Sequence, residues 1–121
     1  MKILSVDDSK AVHSFVKMCL MSKTVDLIQV LSGEEALDKL TGQNKENFDL
    51  ILLDWEMPGL TGPEVLVKAR ESGISTPVIM LTSRNKEDDI RMALENGASE
   101  YIMKPFTEDL LVEKIDSVVG W

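Results

Sequence analysis

A three-layer α/β fold, a doubly wound sheet of five parallel strands with helices on both faces, is what this sequence predicts. Three observations lead there. Short apolar runs alternate five times with stretches whose apolar residues recur at helical spacing. One run, Leu50–Leu53, is apolar without a break, as expected of a strand buried on both faces. Capping and turn residues punctuate the junctions, and sequential β-α units imply parallel strands with right-handed crossovers.

The first strand is read at Ile3–Val6, running straight into Asp7-Asp8-Ser9. Ser9 is suited to cap a helix on which Val12, Phe15, Val16, Cys19 and Leu20 share one face. Val25–Val30 forms the second strand, and Ser32-Gly33-Glu34-Glu35 has the pattern of a capping box. The helix it opens carries Ala36, Leu37 and Leu40 inward and ends at Gly42. Leu50–Leu53 is the third strand and ends at Asp54. Pro58-Gly59 marks a turn, and Pro63 suits the first position of a third helix that Gly73 stops. Pro77–Leu81 is the fourth strand, ending at Thr82-Ser83. Glu87, Asp88 and Asp89 favour a helix start electrostatically, and Asn96-Gly97 closes that helix. Tyr101–Met103 is the fifth strand, ending at Lys104-Pro105. Thr107 caps a last helix with Leu111, Ile115 and Val118 on its inner face. Five units of this kind suit the flavodoxin-like strand order 2-1-3-4-5.

The totals narrow the classes of function. The chain has 121 residues, 44% hydrophobic and 28% charged, as a single soluble domain would have. A net charge of −8 repels phosphate backbones, so no nucleic-acid partner is expected. No apolar run approaches the ~18 residues of a membrane span, and the N-terminus turns acidic too early for a signal peptide. The lone Cys19 has no internal disulfide partner, which suits a reducing, cytoplasmic setting. No signature of an obligate dimer is visible, and a monomer is expected.

Ligands of open parallel sheets bind beyond the carboxyl ends of the strands, where the strand order reverses. On that edge the predicted strands set Asp7, Asp8, Asp54, Thr82 and Lys104. Three neighbouring carboxylates repel one another unless protons or a cation intervene. Oxygen ligands without His or Cys favour Mg²⁺ or Ca²⁺, and Mg²⁺ leaves positions for water and phosphate oxygens. A carboxylate there can act as a nucleophile towards a phosphoryl group. A metal, an ammonium and a hydroxyl would then hold the transferring oxygens.

Asp7-Asp8, the segment Asp54-Trp55-Glu56-Met57-Pro58-Gly59-Leu60-Thr61-Gly62, Leu81-Thr82-Ser83 and Tyr101-Ile102-Met103-Lys104-Pro105-Phe106-Thr107 together resemble the response-regulator receiver family, in particular its single-domain chemotaxis-type members. The likeness makes residues 1–121 one receiver domain of a two-component system. It implies that Asp54 is the phosphoacceptor, and that Asp8, Asp54 and the Glu56 backbone carbonyl bind Mg²⁺, with Asp7 acting through water. It implies that Lys104 pairs with the phosphorylated carboxylate and that Thr82 bonds a phosphoryl oxygen and moves inward. Tyr101 would follow as a switch, moving from an outward to an inward rotamer, and the Lys104-Pro105 bond would be cis.

The resemblance also implies a histidine kinase as donor. The output surface would comprise the fourth helix, fifth strand and fifth helix, with Arg91, Glu95, Tyr101 and Lys114. Because the sequence ends at Trp121, soon after the last helix, the expected output is a separate protein such as a flagellar motor switch component, with a phosphatase as a further partner. A phosphorelay intermediate is the rival within the family. The chain is not expected to be an enzyme beyond its own phosphorylation and dephosphorylation. A Mg²⁺-dependent phosphatase of the haloacid dehalogenase type would want Asp-x-Asp after the first strand. A flavin module would want a phosphate loop where Asp7-Asp8-Ser9 stands.

Further residues carry expectations of their own. His13 departs from the Arg common near that position and is read as half-exposed. Trp55 is expected beside the metal. Glu56 and Arg84, each two residues beyond a site residue, are expected to pair across the mouth of the site and restrict water. Cys19 and the methionines at helical spacing are read as core.

Overall fold

The computed structural model describes residues 1–121 as five strands and five helices in strict alternation. They are β1 (Lys2–Val6), α1 (Lys10–Cys19), β2 (Asp26–Val30), α2 (Gly33–Thr41), β3 (Leu50–Asp54), α3 (Gly62–Glu71), β4 (Val78–Thr82), α4 (Glu87–Glu95), β5 (Glu100–Met103) and α5 (Glu108–Val119). All strand pairs are parallel and the order is β2-β1-β3-β4-β5, as the sequence predicts. The order reverses between β1 and β3, and that crevice receives Asp7 and Asp54.

Alternation along the strands sorts the core into two layers. Leu4, Val6, Ile51, Leu53, Val78, Met80 and Tyr101 face α2, α3 and α4 through Ala36, Leu40, Val65, Leu66 and Ala93. Ile3, Leu50, Leu52, Ile79, Leu81 and Ile102 face α1 and α5 through Val16, Cys19, Leu111 and Ile115. β3 and β4 are buried at every position, which explains their unbroken apolar runs. Each fully buried Leu or Ile contributes roughly 1.5–3 kcal/mol of transfer free energy. No helix is long and apolar enough to cross a membrane.

The caps at Ser9, Ser32 and Thr107 form, each hydroxyl accepting from the backbone N–H three residues on. One capping box moves. Glu35 turns its carboxylate to the Leu31 N–H (3.4 Å), so the box at Ser32 stays half-made. The complete box is at α3: the Thr61 N–H donates to Glu64 Oε1 (3.0 Å), and the Glu64 N–H to Thr61 Oγ1 (3.4 Å). That box starts α3 at Gly62, one residue before Pro63. Lys86, which precedes α4, gives no side-chain cap. The start of α4 therefore depends on its acidic first turn, Glu87, Asp88 and Asp89.

Gly62 brings α3 against the strand end that bears the site. A Cβ there would lie 2.3 Å from the Asp54 carbonyl oxygen and 2.9 Å from both Trp55 Cα and Met80 Cε. The first two are backbone atoms with no room to yield. Gly62→Ala is expected to destabilise the fold by about 1–3 kcal/mol, read as a lower urea midpoint at unchanged slope. A midpoint equal to wild type would contradict this packing.

Candidate functional site

Parallel register delivers the site. Val6 pairs with Leu53 and Thr82 with Met103, so one further step sets Asp7 against Asp54 and brings Lys104 beyond Thr82. The Lys104 N–H donates to the Thr82 carbonyl (2.8 Å), which fixes where the lysine stem leaves β5. Its ammonium then donates to Asp7 Oδ2 (2.8 Å) and Asp54 Oδ1 (2.9 Å). Asp7 is turned inward by the Ser9 N–H on Oδ1 (2.9 Å), while Asp8 stays exposed. Carboxylate oxygens of Asp7, Asp8 and Asp54 lie within 4.8 Å of one another. Thr82 is fully buried, and the Lys104-Pro105 bond is cis.

The charges do not balance, since one ammonium bonds two of three clustered carboxylates and leaves Asp8 without it. Burial pushes the Asp54 carboxyl up from its ordinary value of 3.8, the Lys104 hydrogen bond pulls it back, and Asp7 and Asp8 push it up again, to about 6. Burial works to lower the Lys104 pKa, but its bonds to Asp7 and Asp54 outweigh it, so the ammonium is held above its ordinary value. Excess negative charge on clustered carboxylate oxygens, with no nitrogen or sulfur donor among them, fits a small hard divalent cation. It does not fit a soft metal.

At the rim, Arg84 Nη2 lies 2.8 Å from Glu56 Oε1, the pairing expected from the sequence. The guanidinium also sits 4.9 Å from the centre of the Trp55 ring, and its Nη1 is 3.5 Å from Asp89 Oδ2. Tyr101 is turned inward, its hydroxyl donating to the Arg84 carbonyl (2.8 Å). Beside the site runs an apolar groove of about 560 Å³ lined by Ala11, Val12, Phe15, Pro105, Phe106 and Lys104. Phe15 and Phe106 both line it, with ring centres 5.5 Å apart.

Residues 3–116 match the response regulator receiver domain family. The chain belongs to the response regulator receiver family. The chemotaxis protein CheY of Pseudomonas aeruginosa is 35% identical over 120 residues, covering 98% of this receiver and 95% of that protein. The transcriptional regulatory protein CpxR of Escherichia coli is 40% identical over 118 residues, 98% of this receiver but 49% of that longer protein. Among solved structures, the Mn²⁺-bound form of response regulator Rcp1 superposes with a TM-score of 0.83 at 33% identity, covering 96% of this receiver and 91% of that chain.

Two expectations fail. His13 is not half-exposed: it is buried, and its Nε2 donates to the Val30 carbonyl (2.8 Å). A carbonyl can only accept, so the proton sits on Nε2 and Nδ1 is left buried without a partner. With Gln29 Nε2 donating to the His13 carbonyl (2.8 Å), the residue straps α1 to the end of β2. The methionines divide: Met57 and Met80 are core, but Met18, Met21, Met92 and Met103 are exposed. On α1 the inward positions are taken by His13, Val16 and Cys19, which turns Met18 out. From the sequence, Asp89 favours the start of α4 by its charge alone. Its place opposite Arg84 depends on a helix orientation that spacing does not carry.

The raised Asp54 pKa has a sign that can be tested. A carboxyl held above its ordinary value contributes stability that is present below about pH 4 and lost as pH rises through about 6. Without divalent cations, Asp54→Asn at pH 7.5 is expected to exceed wild type by about 1–3 kcal/mol in urea unfolding. The gap should close near pH 4. A less stable Asn variant at pH 7.5 would contradict the charge imbalance. Adding Mg²⁺ should raise wild-type stability and leave Asp54→Asn nearly unmoved.

Proposed function

We propose that this receiver is a Mg²⁺-dependent phosphoacceptor switch in which Asp54 takes a phosphoryl group from a histidine kinase. The observation that carries the reading is the buried Asp54 carboxylate, gripped by Lys104 within a cluster of acidic oxygens. With a pKa of about 6, Asp54 is ionised at neutral pH and able to attack. One Oδ forms the bond to phosphorus while the bond from phosphorus to the donor nitrogen breaks and the nitrogen keeps the electron pair. Lys104 is already within hydrogen-bond distance of Asp54 Oδ1, where it would neutralise the acyl phosphate. The Thr82 hydroxyl would turn to a phosphoryl oxygen. Asp8, Asp54 and the Glu56 carbonyl would hold Mg²⁺, with Asp7 acting through water, and the cation would supply charge neutralisation for the transferring oxygens. The Mn²⁺-bound relative supports a divalent ion at such a site.

Output would pass through α4, β5 and α5 to a separate protein. The CheY relative, matched over nearly its whole length, favours a flagellar motor switch component as that target. The chain would act in the cytoplasm and would catalyse only its own phosphoryl uptake and loss. Glu56 and Arg84, joined at the rim, would restrict water from attacking the acyl phosphate.

Incubation with acetyl phosphate and Mg²⁺ should add one phosphate by mass, labile to base and absent from Asp54→Asn. Uptake by the Asn variant, or by wild type in excess chelator, would overturn the assignment. In a Trp121→Phe background, Mg²⁺ should quench Trp55 fluorescence and Asp8→Ala should abolish the quenching. Dephosphorylation should accelerate in Glu56→Ala and in Arg84→Ala by a few-fold. The double variant should be no faster than the faster single, because each removes the same pair. Additive effects would remove the water-gate role.

A further inference from the structure

The loop between β4 and α4 contains one residue tied in four directions. The Arg84 N–H donates to Thr82 Oγ1 (3.2 Å), and its carbonyl accepts from Tyr101 (2.8 Å). Its guanidinium reaches Glu56 on one side (2.8 Å) and Asp89 on the other (3.5 Å) while lying over Trp55. Glu56 and Trp55 directly follow Asp54, and Asp89 belongs to the first turn of α4. We propose that Arg84 is a positioning residue that carries the state of the Asp54 site to the first turn of α4 through a side-chain clamp between Glu56 and Asp89.

The energetics suit a movable part. The side chains of Arg84 and Glu56 are 40% and 61% exposed, so their pair shifts an equilibrium by no more than about five-fold. The Arg84 Nε is buried without an acceptor, which further weakens the clamp as a stabilising device. The start of α4 has no side-chain cap from Lys86, so Asp89–Arg84 is a tether on an otherwise weakly anchored turn. The backbone supplies the trigger. Thr82 Oγ1 now accepts from the Arg84 N–H, and turning that hydroxyl towards a phosphoryl oxygen shifts the bond and the peptide that makes it. The shift reaches Asp89 because the same residue holds it. This trigger rests on the phosphoacceptor reading, whereas the clamp itself does not.

The test is amide hydrogen exchange over residues 86–90, with and without acetyl phosphate and Mg²⁺, in wild type, Arg84→Met, Arg84→Lys and Asp89→Asn. Asp89 lies outside the phosphoryl site, so Asp89→Asn should take up phosphate within about two-fold of the wild-type rate. Before phosphorylation, Arg84→Met and Asp89→Asn should exchange about two- to five-fold faster in this turn. Exchange in β3 should be unchanged in both. After phosphorylation, both should lose most of the wild-type change in this turn, and Arg84→Lys should keep part of it. Wild-type exchange and wild-type response in both variants would overturn the proposal. If wild type itself takes no phosphate, the phosphoacceptor reading fails. The clamp is then judged by exchange without phosphate, where unchanged protection in Arg84→Met overturns it.

Discussion

A single ammonium between two buried carboxylates is the contact on which this site depends. Lys104 lies 2.8 Å from Asp7 and 2.9 Å from Asp54, and those residues leave from the ends of three different strands. The bridge is possible only because β5, β3 and β1 run in the same direction in one twisted sheet. It is also incomplete. Asp8 adds a third carboxylate that Lys104 does not reach, and burial first, then the neighbouring acids, hold the Asp54 carboxyl up at about 6. A site in this condition gains from any group that brings positive charge, as a divalent cation would.

The fold keeps this imbalance from unfolding the chain. β3 and β4 are buried along their whole length, and two apolar layers clamp the sheet from both faces. Gly62 lets α3 close against the Asp54 backbone, which holds that strand end in place. Lys104 is tied twice, through its N–H to Thr82 and through its ammonium to the acids. Buried strands thus fix the positions from which Asp7, Asp54 and Lys104 meet.

That loop joins the chemistry to the surface. Thr82 and Tyr101 both bond the backbone of Arg84, and the Arg84 side chain spans from Glu56 to Asp89. Strong packing holds the sheet, whereas exposed ion pairs hold the start of α4. The difference in strength determines which part moves when the charge in the site changes. His13 contributes on the other side: by bonding the Val30 carbonyl, which also accepts from the Asp7 N–H (3.2 Å), it steadies the end of β1.

The sequence alone determined the alternation of strands and helices and the members of the acidic cluster, while the strand order, a matter of pairing between distant segments, is seen only in the structure. Periodicity separates strands from helices, and the edge rule for parallel sheets collects Asp7, Asp8, Asp54, Thr82 and Lys104 wherever the strands end. These are local properties, legible because each strand end is marked by the residue that follows it. The Thr61-Gly62-Pro63-Glu64 box is local and carries its own T-x-x-E signal, but the burial of His13, the outward turn of Met18 and Met21 and the second partner of Arg84 were decided by tertiary structure. Each depends on the angle at which a helix or loop meets its neighbour, and that angle is set by packing between segments distant in the chain. Spacing along one segment states which residues share a face. It does not state what that face meets.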